Sequence, residues 1–276
     1  MSKPEHVVII GAGIVGAASA FHCLEAGLNV TLIEPETPGA SQASSYGNAG
    51  WLSSHSVLPP ASPGIWKQVP SWLADPLGPL SVRWKYFPRA LPWLVRYLAA
   101  AWTYPKIERT AHALRSLLAG APALHQHMAQ QAGVGELIER NGLLHVFLSR
   151  EHFLLDAKAW DIRRKEGVTW EELDAAALAH LEPDLDPKYT FGVFVAETGS
   201  CRNPGAYTAA LIRHAQQRGA TLLSARATGF RIENGSLKAV LIEGGEVPCD
   251  KAVIAVGARS KAFAAMAGDN VSLETE

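Results

Sequence analysis

The chain has 276 residues, 48% of them apolar and 18% charged, so it can bury a core without disulfide or metal staples. Its 25 Lys and Arg residues and 26 Asp and Glu residues give a net charge of -1. The chain therefore lacks the excess of positive charge that is typical of proteins that bind nucleic acid. The three cysteines, Cys23, Cys201 and Cys249, lie far apart without zinc or disulfide spacing, a pattern typical of a reducing compartment.

The chain begins with a predicted strand, glycine turn, helix and second strand. His6–Ile10 is a continuous apolar run, typical of a parallel strand buried on both faces. A helix is predicted over 14–26 and a strand over 29–33. The turn before the helix matches G-x-G-x-x-G, a pattern that binds the pyrophosphate of a dinucleotide at a helix N-terminus. It consists of Gly11, Ala12, Gly13, Ile14, Val15 and Gly16.

An acidic residue, Glu34, ends the second predicted strand. A carboxylate at this position is expected to accept hydrogen bonds from ribose hydroxyls and to repel a 2′-phosphate, which disfavours NADP. The motif leaves FAD and NAD open, but the long Gly-, Ser-, Ala- and Pro-rich loop over 35–65 favours FAD. Its hydroxyls and small residues suit a second phosphate and a flat ring. The loop residues expected to bind cofactor are Ser44, Ser45, Asn48, Ala49 and Gly50.

The middle of the chain is mostly helical by pattern. Helices are predicted over 88–103, 107–131, 150–165 and 170–180, and strands over 142–148 and 191–195. The stretch Ala90–Trp102 carries aromatic residues beside arginines but is shorter than the roughly 20 apolar residues that span a bilayer. Two alternatives stay open for it, a helix that packs over a core or ligand cavity and a helix that lies on a membrane surface.

Strand patterns return near the end of the chain. A helix is predicted over 203–218, and strands over 220–223, 227–232, 237–242 and 251–256. Asn234-Gly235 between two of these strands predicts a hairpin. The pattern favours an α/β fold, in which both ends form a Rossmann-like nucleotide-binding domain (1–60 and 200–276) and 61–199 form an inserted α+β substrate domain.

Four places resemble the FAD-dependent amine and amino-acid oxidoreductases of the D-amino-acid oxidase superfamily, most closely the small-subunit type of bacterial D-amino-acid dehydrogenase. The resemblance implies the glutathione-reductase type of FAD-binding domain, with the Ala227 backbone at the adenine, where many members have Val, and Gly257 in a turn near the dinucleotide. Members generally continue well beyond this point with a substrate-carboxylate anchor and a final glycine-rich loop, so it also implies truncation at the C-terminus. The four places are Val7–Gly16 with Glu34, Ser44-Ser45 with Asn48-Ala49-Gly50, Ala225-Arg226-Ala227 before Gly229-Phe230, and Val253–Ser260.

The same resemblance implies a reaction. The CH–NH bond of a D-amino acid or related amine is oxidised by hydride transfer to flavin N5, and the imine is hydrolysed to an oxo acid and ammonia. Specificity for D-hydroxyproline or sarcosine stays open. So do two other hypotheses, an NAD-binding dehydrogenase and a non-catalytic FAD-domain fragment that binds FAD weakly or merely packs with a partner chain. The dehydrogenase resemblance favours a membrane quinone as electron acceptor and a cytoplasmic protein, peripheral on the inner face of the cell membrane. It does not indicate an oligomeric state.

The sequence offers no convincing acid–base pair. His55 is a weak catalytic candidate because it follows the flavin-facing loop, although a loop histidine is more typical of a surface position, and Ser53 is no better. His125 and His127 lie two apart on a predicted helix, do not share a face and are poor metal ligands, so no metal is expected. Arg202 precedes a predicted helix and could meet a carboxylate there, but a surface position is favoured over that role.

Overall fold

The computed structural model describes residues 4–59, 63, 85–100, 102–271 and 273. One compact unit comprises Met1–Trp51, Ala123–Glu139 and Ser200–Glu276, and a second comprises Leu52–Pro122 and Arg140–Gly199. The described strands are β1 (His6–Ile10), β2 (Asn29–Ile33), β3 (Trp51–Leu52), β4 (Ile138–Glu139), β5 (Leu143–Phe147), β6 (Glu171–Asp174), β7 (Phe191–Val195), β8 (Gly199–Cys201), β9 (Thr221–Leu223), β10 (Ala227–Glu233), β11 (Ser236–Ile242), β12 (Gly245–Pro248) and β13 (Lys251–Ile254). The described helices are α1 (Ile14–Glu25), α2 (Phe87–Ala100), α3 (Tyr104–Leu118), α4 (Ala121–Gln131), α5 (Arg150–Leu155), α6 (Ala157–Lys165), α7 (Ala175–Leu181), α8 (Pro204–Gln217) and α9 (Ser260–Met266).

A parallel sheet in the order β13-β1-β2-β9 forms the centre of the first unit. Val8, Ile10 and Ile33 point to one face of this sheet, where they pack with Val240 of the antiparallel sheet β10-β11-β12. The opposite face is covered by α1, which packs in turn on α8. Burial on both faces explains why β1 and β2 read as continuous apolar runs rather than as alternating ones.

The hairpin between β10 and β11 confirms the turn predicted from Asn234-Gly235. Both residues have positive φ angles, 51° and 73°, as a two-residue turn of type I′ requires. The strands pair antiparallel from Glu233 opposite Ser236 back to Ala227 opposite Ile242. Asparagine tolerates this left-handed conformation better than most residues, so the turn is specified locally by the sequence.

The second unit has its own antiparallel sheet, in the order β5-β7-β6, and its own aromatic core. Phe153, Trp160 and Phe191 are buried together with Val193 and Val195 of β7. The rings of Phe153 and Phe191 lie 5.2 Å apart, centroid to centroid. Since each large apolar side chain contributes about 1.5–3 kcal/mol when it is fully buried, this cluster stabilises the second unit.

The predicted helix over 170–180 is wrong in its first half. Glu171–Asp174 forms β6, which pairs with β7, and the helix begins only at Ala175. The cause is tertiary: pairing with β7 buries Leu173, and this gain overrides a weak helical preference. Asp174 then caps the helix, because its carboxylate accepts a hydrogen bond from the Ala177 amide at 2.9 Å.

Two further predicted helices are each divided. The helical pattern over 150–165 breaks at Asp156, which ends α5 and begins α6. The pattern over 107–131 breaks after Leu118, so that α3 and α4 are separate helices. Among the helices in the described ranges, none has both the length and the apolar character needed to cross a bilayer.

Candidate functional site

The glycine turn after β1 is held in close backbone contact on two sides. Gly11 has a φ of 101°, and a Cβ there would lie 2.4 Å from the carbonyl oxygen of Ala255. A Cβ on Gly16 would lie 1.9 Å from the carbonyl oxygen of Gly11. Both approaches require glycine, because these carbonyls belong to the backbone and cannot swing away. The turn is followed directly by α1. The first backbone N–H groups of this helix have no partner within the helix.

Glu34 lies against this turn at the end of β2. One carboxylate oxygen accepts a hydrogen bond from the Ala12 amide at 2.9 Å, and the other accepts one from the Glu36 amide at 3.2 Å. The backbone of Glu34 is itself fixed, because its amide donates to the carbonyl of Leu223 in β9. Each carboxylate oxygen has a second lone pair, so Glu34 keeps the capacity to accept ribose hydroxyls. Its role at a ribose stays a prediction.

The loop after β2 returns to the N-terminus of α1. The Ser45 hydroxyl accepts a hydrogen bond from the Ile14 amide at 3.0 Å. Farther along, Asn48 folds the loop on itself, since its side-chain oxygen accepts from the Gly50 amide at 2.8 Å and its side-chain nitrogen donates to the Ser44 carbonyl at 3.2 Å. The two motifs that lie far apart in the sequence are thus in direct contact.

Gly50 fixes the far end of this loop. Its φ is 70°, and a Cβ there would lie 2.2 Å from the carbonyl oxygen of Cys201. The Cys201 amide also donates a hydrogen bond to the Gly50 carbonyl at 2.7 Å. A larger residue at position 50 would therefore push the loop away from β8. Ala49 immediately before it is exposed.

The remaining predicted cofactor residues follow the ends of neighbouring strands. Ala227 begins β10 shortly after β9 ends and is half-buried in the core beneath the sheet. Gly257 follows β13 and opens a 3₁₀ turn with a φ of 57°. Since the carboxyl ends of parallel strands share one edge, these residues lie at the same edge as Glu34 and the glycine turn. In open α/β sheets this edge is where ligands bind.

His55 lies in the second unit, and its expected surface position is wrong. The side chain is 2% exposed. Its Nε2 lies 2.8 Å from Nε2 of His145 on β5, and its Nδ1 lies 3.2 Å from the Ser53 hydroxyl. Burial, with the nearby His145 and Arg163, lowers the pKa of His55 to about 4, and burial also lowers the pKa of His145. A hydrogen bond between the two Nε2 atoms needs one of them protonated and the other not. Because the pKa of each histidine is lowered from 6.5, both imidazoles are neutral at pH 7.

A half-buried arginine that sequence reasoning missed holds the same segment. Arg115 of α3 makes a bidentate ion pair with Glu197, at 2.7 and 3.0 Å, and donates to the Ser54 carbonyl at 2.8 Å. Burial is the largest single influence and raises the pKa of Glu197, but the hydrogen bonds and charge of Arg115, with smaller effects of Ser54 and His55, together outweigh it, so the pKa of Glu197 is lowered. Arg163 adds a longer contact, with its Nε 3.4 Å from the His55 carbonyl. These residues fix the backbone at 54–55 within the second unit.

Acidification is expected to destabilise the fold through the histidine pair. Because the folded-state pKa of His55 is below its usual 6.5, its contribution is complete above pH 6.5 and is lost as the pH falls towards 4. We expect the free energy of unfolding to fall by roughly 2–3 kcal/mol over that interval from this pair. Urea midpoints between pH 7.5 and 4.5 measure the effect. The variant H55Q/H145Q should lose this part of the pH dependence; an unchanged slope would contradict the assignment.

Three other residues considered in the sequence have structural partners. His125 and His127 belong to α4 and contact different residues: His125 lies 3.1 Å from the Tyr207 hydroxyl, whereas His127 lies 3.7 Å from a Glu25 carboxylate oxygen. Arg202 is exposed and pairs with Glu139 at 3.4 Å. Within the described ranges, no three His, Cys, Asp or Glu side chains are grouped to hold a metal ion.

Comparison with known proteins identifies one family. The family model described as FAD dependent oxidoreductase, DAO, matches residues 6–275. Among curated proteins, a D-amino-acid oxidase of Bradyrhizobium diazoefficiens is 57% identical over the whole chain. A D-amino acid dehydrogenase of Agrobacterium fabrum is 31% identical over 95% of the chain. The chain spans 65% and 63% of the lengths of these two relatives.

Solved structures share the fold at low sequence identity. An L-amino acid deaminase from Proteus vulgaris aligns with a TM-score of 0.67 and 18% identity, over 98% of this chain and 58% of that one. A glycine oxidase from Bacillus cereus aligns with a TM-score of 0.61 and 20% identity, over 95% of this chain and 57% of that one. The predicted fold class, with a Rossmann-like parallel sheet, is confirmed. Of the two cofactors that the sequence left open, FAD and NAD, the comparison supports FAD, because the matched family is FAD-dependent.

Proposed function

Because the chain belongs to the FAD-dependent oxidoreductase family, we propose that the protein oxidises the CH–NH bond of a D-amino acid or a closely related amine. The relatives named D-amino-acid oxidase and D-amino acid dehydrogenase support this substrate class. One observation carries the proposal: the glycine turn, Glu34 and the Ser45 hydroxyl meet at the carboxyl edge of a parallel sheet. The first unit is accordingly the FAD-binding part, and the second unit contributes to the substrate domain.

The residues at this edge fit FAD by their chemistry. Gly13 has no side chain to cover its backbone. A Cβ at this position would lie 3.3 Å from the Ser45 hydroxyl oxygen, which is a tight contact. The N-terminal amides of α1 carry partial positive charge and suit a pyrophosphate, while the Glu34 carboxylate suits ribose hydroxyls. In this proposal the backbone of the glycine turn, together with Ser44 and Ser45, binds the phosphates. The remaining predicted contacts are those of Asn48, Ala49 and Gly50 at the flavin, Ala227 at the adenine and Gly257 nearby.

The protein's part in the reaction is positioning. FAD, when bound, would supply the hydride acceptor for oxidation of the substrate Cα. The chain holds that cofactor in a fixed register through Glu34 and the glycine turn, which aligns the reacting atoms. A neutral substrate amine needs no protein base, and the resulting imine is hydrolysed by water to an oxo acid and ammonia. The buried and neutral His55 is then a structural support rather than a proton acceptor.

We further propose that the electrons pass to a membrane quinone and that the protein is peripheral on the inner face of the cell membrane. A relative named D-amino acid dehydrogenase supports an acceptor other than oxygen, whereas the more similar relative is named an oxidase. Oxygen consumption and reduction of a water-soluble quinone, compared in the same assay, separate the two acceptors. Faster turnover with oxygen would contradict the quinone.

The proposed reaction is tested by the colour of the protein. The purified chain, titrated with FAD, should acquire the visible absorption of a bound flavin, and a D-amino acid added without oxygen should bleach it. The L-enantiomer of the same amino acid is the matched control and should leave the absorption unchanged. A flavin-loaded protein that no D-amino acid or amine reduces would refute the substrate class. A colourless protein that binds NADH would refute the cofactor assignment.

The contact between Ser45 and α1 gives a prediction for cofactor affinity. Ser45→Ala removes a hydroxyl at the helix N-terminus, so the Kd for FAD should rise about five- to tenfold, as expected for one hydrogen bond of about 1 kcal/mol. Ser41→Ala is the matched control, because it removes an exposed hydroxyl from the same loop. Quenching of flavin fluorescence measures both constants. Equal constants for the two variants would argue against a phosphate contact at Ser45.

A further inference from the structure

We propose that the outer face of α2 docks on the surface of an anionic lipid bilayer. We define the α2 outer face as the exposed residues Leu91, Val95 and Ala99 together with Arg89 and Arg96. This inference concerns a surface of the second unit and does not depend on the flavin chemistry. It specifies which surface would contact the membrane if the protein is peripheral, as proposed above, and it requires that the lipid be anionic.

The apolar part of this face forms a continuous stripe. Leu91, Val95 and Ala99 recur every four residues and therefore follow one side of the helix. Leu91 is 45% exposed and Val95 is 58% exposed, and within the described part of α2 no residue is buried. The half-buried face of the helix is a different one, where Tyr97 packs against the core around Ile107. The helix thus has one apolar side for the protein and a second apolar side exposed.

The charges on this segment are of one sign. Between Lys85 and Ile107 the sequence contains four basic residues and no Asp or Glu. Arg89 and Arg96 lie seven residues apart, so both project from the same side of the helix, and Arg96 is three residues before Ala99 of the apolar stripe. An apolar stripe edged by arginines suits a bilayer interface, where the stems lie along acyl chains and the guanidinium groups reach the phosphates. Lys85, Arg89, Arg96 and Lys106 together give this segment four positive charges, a number that suits an anionic bilayer.

Trp102, which lies between α2 and α3, extends this surface. Trp102 is 61% exposed, and with Val95, Leu98 and Ala99 it lines an open groove of about 340 Å³. The ammonium group of Lys106 lies at the same groove, where it donates to the Ala99 carbonyl at 3.1 Å. An apolar groove beside an ammonium group has the chemistry of a lipid contact, with an acyl chain below and an anionic headgroup above.

The one-sided charge favours a bilayer over a second copy of the chain. Two copies joined through this face would place Arg89 and Arg96 of both copies in one interface, with no carboxylate between Lys85 and Ile107 to offset them. Like charges in contact across an interface cost several kcal/mol. An anionic bilayer neutralises the same charges and buries the same apolar stripe, so both features act in one direction.

Sedimentation with lipid vesicles tests the docking surface. The chain should bind vesicles of phosphatidylcholine with phosphatidylglycerol, bind pure phosphatidylcholine far more weakly, and be released by high salt. L91E/V95E should reduce binding about ten- to thirtyfold, because it removes two side chains from the apolar stripe. R89Q/R96Q should reduce binding about fivefold per arginine.

Leu155→Glu is the matched control, since it places an acid at a leucine that is 81% exposed at the end of α5 in the same unit. It should bind like the parent chain, and circular dichroism should show all variants folded. Binding that does not respond to L91E/V95E, or no binding to anionic vesicles, would overturn the proposal. A dimer in light scattering that L91E/V95E dissociates would also overturn it, in favour of a second copy.

Discussion

Gly11→Ala is expected to lower the free energy of unfolding by about 3 kcal/mol and to abolish FAD binding. Two costs add at this position. The φ of 101° is strained for any residue with a Cβ, and the new methyl group would lie 2.4 Å from the Ala255 carbonyl oxygen. Relief would require moving β13 or the glycine turn, and both lie at the edge proposed to bind FAD. Urea unfolding without cofactor measures the first effect, and a flavin titration measures the second.

Gly27→Ala separates the two costs. Gly27 also has a positive φ, 76°, but no described atom lies within 4 Å of where its Cβ would stand. It should therefore lose only about 1–2 kcal/mol through backbone strain, and it should bind FAD like the parent chain. Equal losses of stability in the two variants would show that the contact with Ala255 has no energetic consequence. Unimpaired FAD binding by Gly11→Ala would exclude the turn as a phosphate site.

The elements that the sequence predicted well are those specified by local rules. The strand, turn, helix and strand over 6–33 follow from buried apolar runs and from glycines at fixed positions, and each boundary lies within one residue of its prediction. The hairpin at Asn234-Gly235 is local in the same sense. The convergence of Glu34 with the glycine turn was also predictable, because the carboxyl ends of adjacent parallel strands share an edge.

The features that sequence reasoning missed depend on distant partners. Glu171–Asp174 became a strand because β7 lies beside it, and no residue within the segment specifies that pairing. His55 is buried because it meets His145, 90 positions away in the sequence. Arg115 reaches Glu197 across 82 positions and Ser54 across 61. The only local signal was a basic residue within the amphipathic helix α3, which is also the pattern of an ordinary solvated arginine.

Because Arg115 has two such distant partners, it is a more informative residue than His55 for testing the contacts of the second unit. The Arg115 side chain is 14% exposed and that of Glu197 is 28% exposed, so water screens this pair only in part. Besides Glu197, the guanidinium binds the backbone carbonyls of Ser54 and Glu166. Removal of the arginine would leave a carboxylate and these carbonyls without their donor in a poorly hydrated place.

Arg115→Met is therefore expected to lower the free energy of unfolding by about 2–4 kcal/mol, somewhat less than for a fully buried pair. Methionine keeps most of the apolar volume, so the loss reports the polar contacts. Arg231→Met is the matched control, because Arg231 also makes a bidentate pair with a glutamate, Glu246, at 2.8 and 2.9 Å, but at the surface. Solvent weakens that pair, and its loss should scarcely move the urea midpoint. Similar midpoints for both variants would mean that Arg115 does not hold the segment that contains Ser54 and His55.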